Sequence, residues 1–215
     1  MKRLVLLLVI VFVAMGAVQA QTEWDEVEEY YKEEFRDNLK KAQAGDAFAM
    51  YVVGHFYKDG WGVEKNGQEA FKWSKKSAEL GCAEGMYVLG ECYRDGVGVA
   101  KNIDETIKWW SKAAYKGYVN ALFNLAWLYS SEKVGTFDMY KGNEIPKNPD
   151  EAFRLWKILA EQREAGGGMY CLGNFYWYGE GVGRSYKEAV KWWQKAARKG
   201  FDQARRALKE IDETW

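Results

Sequence analysis

Proline is almost absent from this chain, two in 215 residues, so the residue that lacks an amide proton and clashes with the preceding turn interrupts little of it. Histidine occurs once, at His55. A lone imidazole with no Cys, Asp or Glu at ligand spacing does not make an ordinary metal site. Without a nucleophile motif such as Gly-x-Ser-x-Gly it does not serve a catalytic triad either. Carboxylates are plentiful, but no feature of the sequence singles out a catalytic pair. We therefore expect no catalytic residue, no metal and no cofactor, and read the chain as not an enzyme. Net charge is also missing, with 31 basic and 31 acidic side chains, so neither nucleic acid nor an anionic membrane is implied as partner. Cysteine occurs three times, at Cys82, Cys92 and Cys171, an odd count in no paired spacing, which leaves at least one thiol free.

What is present is apolar and helix-favouring: 48% hydrophobic and 16% aromatic residues, ample for one substantial domain. The first twenty residues differ from the rest. A basic start at Lys2 and Arg3, an apolar run from Leu4 to Val13 and the small-residue site Val18-Gln19-Ala20 read as a secretory signal peptide cleaved after Ala20. Periplasmic or secreted localisation follows as an expectation, with no membrane insertion after cleavage. An uncleaved anchor is the alternative.

The dominant signal is an internal repeat. Tyr51-Val52-Val53-Gly54-His55-Phe56-Tyr57 matches Tyr87-Val88-Leu89-Gly90-Glu91-Cys92-Tyr93 at a spacing of 36. Further copies run from Phe123 to Tyr129 and from Tyr170 to Tyr176. Such a period means stacked helical hairpins. Each first helix has a small residue at its centre, Gly54, Gly90, Ala126 or Gly173, where a neighbouring helix must come close. A turn with two glycines follows in three copies, as in Asp59-Gly60-Trp61-Gly62-Val63. A helix rather than a strand precedes these glycines, so they are not phosphate cradles. The second helices open at Asn66, Asn102, Asn148 and Ser185, each with Glu three residues on, which reads as four capping boxes. Pro149 falls at the first helical position, where it is tolerated best.

The pattern Leu-Gly-x-x-Tyr-x-x-Gly-x-Gly-Val, followed by Ala-x-x-Trp-x-x-Lys-Ala-Ala-x-x-Gly, is clearest in Leu89 to Gly117 and Leu172 to Gly200. It resembles the Sel-one-like repeat (SLR) family, cousins of the tetratricopeptide repeats. The resemblance implies an all-α fold, a right-handed α/α solenoid of antiparallel helix pairs, and use as an adaptor or scaffold. We expect a capping helix over 21–44, a solenoid over 45–203 and a closing helix over 204–215. The repeats fall at about 46–81, 82–117, 118–163 and 164–200, the third carrying an insertion at 130–147. A cysteine-rich branch of the family, linked to penicillin binding, is not matched, which removes most support from a β-lactamase reading.

Columns that vary between repeats are free to recognise a partner. His55, Glu91, Trp127 and Asn174 form one such column. Lys58, Arg94 and Trp177 belong to the next. With the turn residue Trp61 and with Tyr178 they are the candidate partner-binding residues, on the surface that the first helices line in related stacks. Trp73, Trp109 and Trp192 are expected in the core. The function expected is an exported adaptor that binds a protein or peptide. The alternatives are a cell-wall glycan or peptide binder or hydrolase, marked by a carboxylate pair beneath the insertion, and a structural protein self-associating through Trp215 and the closing helix.

Overall fold

The computed structural model of the chain describes residues 26–130, 147–162 and 164–214, with 213 and 214 as backbone only. The expected signal peptide, most of the insertion and Trp215 lie outside the described residues. All regular structure among the described residues is helical: α1 (26–43), α2 (Ala47–Asp59), α3 (Gly67–Glu79), α4 (Ala83–Asp95), α5 (Ile103–Tyr115), α6 (Val119–Tyr129), α7 (Pro149–Glu161), α8 (Gly166–Tyr178), α9 (Tyr186–Arg198) and α10 (Asp202–Thr214). None of these helices is long and apolar enough to cross a membrane. The chain forms two compact units, residues 1–102 and 103–215.

Each helix pair is closed in the same way. The side chains of Asn66, Asn148 and Ser185 accept from the backbone amides of Glu69, Glu151 and Glu188 at 3.1, 3.2 and 3.3 Å. At Asn66, Asn148 and Ser185 the reciprocal half of the expected capping box does not form. Glu69, Glu105, Glu151 and Glu188 instead turn forward to Lys72, Lys108, Arg154 and Lys191. The reason is that the N-cap amide already has a partner: Asn66, Asn102, Asn148 and Ser185 donate to the carbonyls of Tyr57, Tyr93, Tyr129 and Tyr176 at 2.9 to 3.2 Å. The third pair makes this bond although the insertion separates Tyr129 from Asn148.

The two glycines of each turn have different tasks. Gly60, Gly96 and Gly179 cap their helices in the left-handed conformation, φ 82°, 78° and 72°. Gly62, Gly98 and Gly181 also have positive φ, and a Cβ there would overlap the backbone of Tyr31, Gly67 and Pro149 respectively. In these three turns the second glycine is thus where a repeat lies on the second helix before it.

That regularity extends to α1, the expected capping helix. Residue 31 stands 36 before Gly67, and Phe35 packs edge-on against Tyr57 with centroids 5.2 Å apart. Phe71 against Tyr93 and Phe153 against Tyr176 repeat the contact at 5.4 and 5.5 Å. Ala42 is buried like Ala78 and Ala160. Gly45 leaves the helix at φ 101°, as Gly81, Gly117 and Gly200 do with φ near 85°. Helix α1 is therefore a second helix in repeat register without a first helix of its own among the described residues.

The core differs from expectation in one column. Trp73 and Trp192 are buried, but Trp109 is only half-buried, its indole donating to Glu105 at 3.0 Å and covered by the Lys112 ammonium. The deeper indoles are one residue on, at Trp110, Trp156 and Trp193, with exposures of 0, 0 and 4%. In the first repeat the same column holds Ser74, fully buried, and an added Cβ on Gly54 would stand 2.6 Å from its hydroxyl. On Gly173 an added Cβ would overlap the Trp193 ring. Small residues at the centres of the first helices are there for close packing on this column.

Candidate functional site

In the first unit, α2 and α4 bring three of the expected residues, Lys58, Glu91 and Arg94, together. The Lys58 ammonium lies 2.7 Å from Glu91 Oε2, with side-chain exposures of 17 and 13%. Arg94 contacts Glu91 at 3.7 Å and forks onto Asp95 through two 2.7 Å bonds. Burial alone would lower the Lys58 pKa, but the charge and hydrogen bond of Glu91 outweigh it and hold the ammonium above its usual range. His55 Nδ1 sits 3.1 Å from Asp59, and its ring meets Trp61 at 5.2 Å. Trp61 is 44% exposed, yet it also packs against Tyr31 and Phe56. One edge of its indole is thus committed to the fold and the rest faces solvent.

In the second unit the expected residues have unequal roles. Asn174 is largely buried and accepts the Trp193 indole N–H at 3.0 Å, which ties it to the core, although it still lines a pocket with Tyr170, Trp177 and Tyr178. The reason lies in the neighbouring column, because a second-helix tryptophan needs an acceptor for its N–H. Ser130 does the same for Trp156 at 3.0 Å. Where the column holds Ser74, His55 at the position of Asn174 stays at the surface. Trp127 is half-buried, edge-on to Trp156 at 5.1 Å. Trp177 is half-buried between Tyr186 and Trp193, with centroids 4.6 and 5.2 Å away. Tyr178 is exposed.

Trp177 also borders a groove that sequence reasoning missed. A cavity of about 640 Å³ is lined by Trp177, Tyr186, Lys187, Val190, Lys191 and Ile211 among others. On the other side of Trp177 and Ile211, a second pocket of about 270 Å³ reaches Tyr170 and Tyr178.

Among the described residues no group of three or more His, Cys, Asp or Glu side chains is placed to hold a metal. All three cysteines are free. Burial pushes the Cys92 thiol up to about 12 and raises Cys171 further still, so both are held as inert apolar groups. The carboxylate pair sought beneath the insertion falls on a segment outside the described residues.

This architecture has close counterparts among solved structures. A Sel1 repeat protein from Oxalobacter formigenes matches with a TM-score of 0.70 and 24% identity, covering 84% of this chain and 49% of that one. A protective antigen of uropathogenic Escherichia coli that displays an SLR fold matches with a TM-score of 0.71 and 30% identity, covering 82% of this chain and 36% of that one. The chain thus spans half or less of the length of these structures. No curated protein sequence matches it significantly. The Sel1 repeat family, whose members are generally protein-interaction scaffolds and typically not enzymes, matches at residues 47–82, 83–118, 119–163 and 167–201. With four repeats matched over most of its length, the chain belongs to the Sel1 repeat family.

Proposed function

We propose that this protein is an exported adaptor that holds a protein or peptide on the surface its first helices present. The observation that carries this reading is the cluster of Lys58, Glu91, Arg94 and Asp95 on the adjacent helices α2 and α4, pinned by 2.7 Å bonds. Charged groups fixed before a partner arrives lose little side-chain freedom on binding, and so favour recognition of a particular surface. Their positions vary between repeats while the packing columns do not, which separates recognition from stacking. Family membership supports the scaffold role, and the basic and apolar start of the chain supports export.

The test is crosslinking and pull-down with residues 21–215 from the envelope and secreted fractions of the source cell, beside an Arg94→Glu, Trp127→Ala variant shown by circular dichroism to be folded. One protein captured by the parent, lost with the variant and rebound after purification supports the reading. The same proteins retained by both forms would sink this surface as the site. Mass spectrometry of the exported form should find Gln21 at its N-terminus, and a full-length cytoplasmic form overturns the export reading.

A further inference from the structure

The third repeat departs from the others in one packing column. At the same place in α3, α5, α7 and α9 stand Trp73, Trp109, Leu155 and Trp192, and one turn further on stand Lys76, Lys112, Ile158 and Lys195. Each tryptophan carries the ammonium of its lysine over the ring, 4.1 to 4.5 Å from the centroid. Leu155 and Ile158 replace both partners, so α7 has neither the indole nor the cation. The space that an indole would take is open. Trp73 clusters with Ala42, Met50 and Val53, and Trp192 with Ala160, Met169 and Leu172. The residues in those positions around Leu155 are Ala114, Leu122 and Leu125, and with Leu155 and Ile158 they line a cavity of about 380 Å³. Ala114 is only half-buried there, whereas Ala42 and Ala160 are 1% exposed. The cavity thus arises from a substitution within the array, between α5, α6 and α7. Ser111, Tyr115, Gly117, Glu151, Arg154 and Gln162 complete its lining.

We propose that this cavity receives a tryptophan side chain of a partner protein, which supplies the indole that the third repeat lacks. The column itself sets the occupant, because α3, α5 and α9 each place an indole there. The N–H of that indole meets an acceptor. In α5, Glu105 takes the Trp109 indole N–H at 3.0 Å while it also binds Lys108, and Glu151 is the matching residue of α7. Arg154 forks onto Glu151 through bonds of 2.8 and 2.6 Å, which leaves each carboxylate oxygen a further lone pair for the indole. Ser111 and Gln162 offer a hydroxyl and an amide to the backbone that carries it. A tryptophan seated in a fitted pocket with polar groups around it is where interfaces concentrate their binding energy. No residue of this cavity belongs to the recognition surface proposed above, so either can fail without the other.

The test pans a library of short random peptides against residues 21–215 and measures the enriched peptides, fluorescein-labelled, by anisotropy. Enriched sequences should share a tryptophan. Changing it to alanine should abolish binding, and changing it to phenylalanine, which cannot donate to Glu151, should weaken binding about tenfold. The double variant Leu155→Trp, Ile158→Lys restores the column from within and, once shown by circular dichroism to be folded, should no longer bind. Glu151→Ala, which leaves the column intact, should bind the tryptophan and phenylalanine peptides alike. Enriched peptides without tryptophan, peptides that bind the double variant as well as the parent, or a preference for tryptophan that survives Glu151→Ala overturn the proposal. So does binding that appears only when residues 131–146 are replaced by the short turn of the second repeat, since the chain would then fill its own cavity. Self-association in light scattering that the double variant abolishes also overturns it, because the occupant would then be a second copy of this chain.

Discussion

The glycine at the centre of α8 is costly to the helix in isolation, so its replacement by alanine would ordinarily gain about 1 kcal/mol. Here a Cβ overlaps the Trp193 ring, whose N–H is held by Asn174. We predict that Gly173→Ala destabilises the protein by about 1–3 kcal/mol in thermal or urea denaturation. Gly183→Ala, at a position with open space around it and no left-handed backbone, should be neutral. The thiols provide a second residue-scale test. At pH 8 a thiol reagent should react with Cys82 alone, because Cys92 and Cys171 are 0 and 3% exposed and burial raises their pKa values. All three should react in denaturant, and fewer would reveal a disulfide. The Lys58–Glu91 pair gives a third. A lysine whose folded pKa lies above its usual 10.5 contributes stability that is complete below pH 10.5 and is lost as pH rises through the folded value. The stability gap between the parent and Lys58→Met should therefore be constant near neutrality and shrink at strongly alkaline pH. A gap that persists there would mean that packing of the stem, not charge, is what the mutation removes.

At the scale of elements, the N-cap amide of each second helix donates to a tyrosine carbonyl of the first helix of its pair, whatever the length of the loop between them. The bond from Asn148 to Tyr129 forms at 3.2 Å across the insertion, much as the others form at 2.9 Å across short turns. Replacing residues 131–146 with the short turn of the second repeat should therefore leave the melting temperature within a few degrees of the parent. A large drop would assign the insertion a structural role. The family-level turn was legible in the sequence as paired glycines, but their division of labour was not. Which glycine caps and which one lies on the preceding helix depends on residues 31 or more positions apart, and only the packing brings these together.

At the scale of the molecule, α1 and α10 carry charge or polarity in columns where the other described helices are small or apolar. Glu34 and Asn38 of α1 occupy the columns of Ala70 and Ser74, of Thr106 and Trp110, of Ala152 and Trp156, and of Ala189 and Trp193. Those residues are all buried, whereas Glu34 is exposed and Asn38 half-buried. Arg205 and Lys209 of α10 take the columns of Met169 and Gly173 and are exposed. Polar outer faces close a repeat array against further stacking. We predict that the combined variant Glu34→Ala, Asn38→Trp, Arg205→Met, Lys209→Gly associates to larger species than the parent in light scattering. An unchanged mass would show that these columns do not oppose stacking on α1 and α10.

The sequence by itself determined the helical class, the repeat register, the caps and the family, because those are written in short-range spacing that every copy repeats. Of the expected surface residues, Lys58, Glu91 and Arg94 meet, and Trp61, Trp127 and Trp177 each keep part of their surface exposed. Asn174 was not legible as core, since its burial depends on Trp193, nineteen residues on, needing an acceptor for its indole N–H. The placing of α1 in register and the groove beside Ile211 were likewise decided by tertiary structure alone. Both depend on which helix covers which, and hydrophobic periodicity marks the face a helix buries without saying what lies against it.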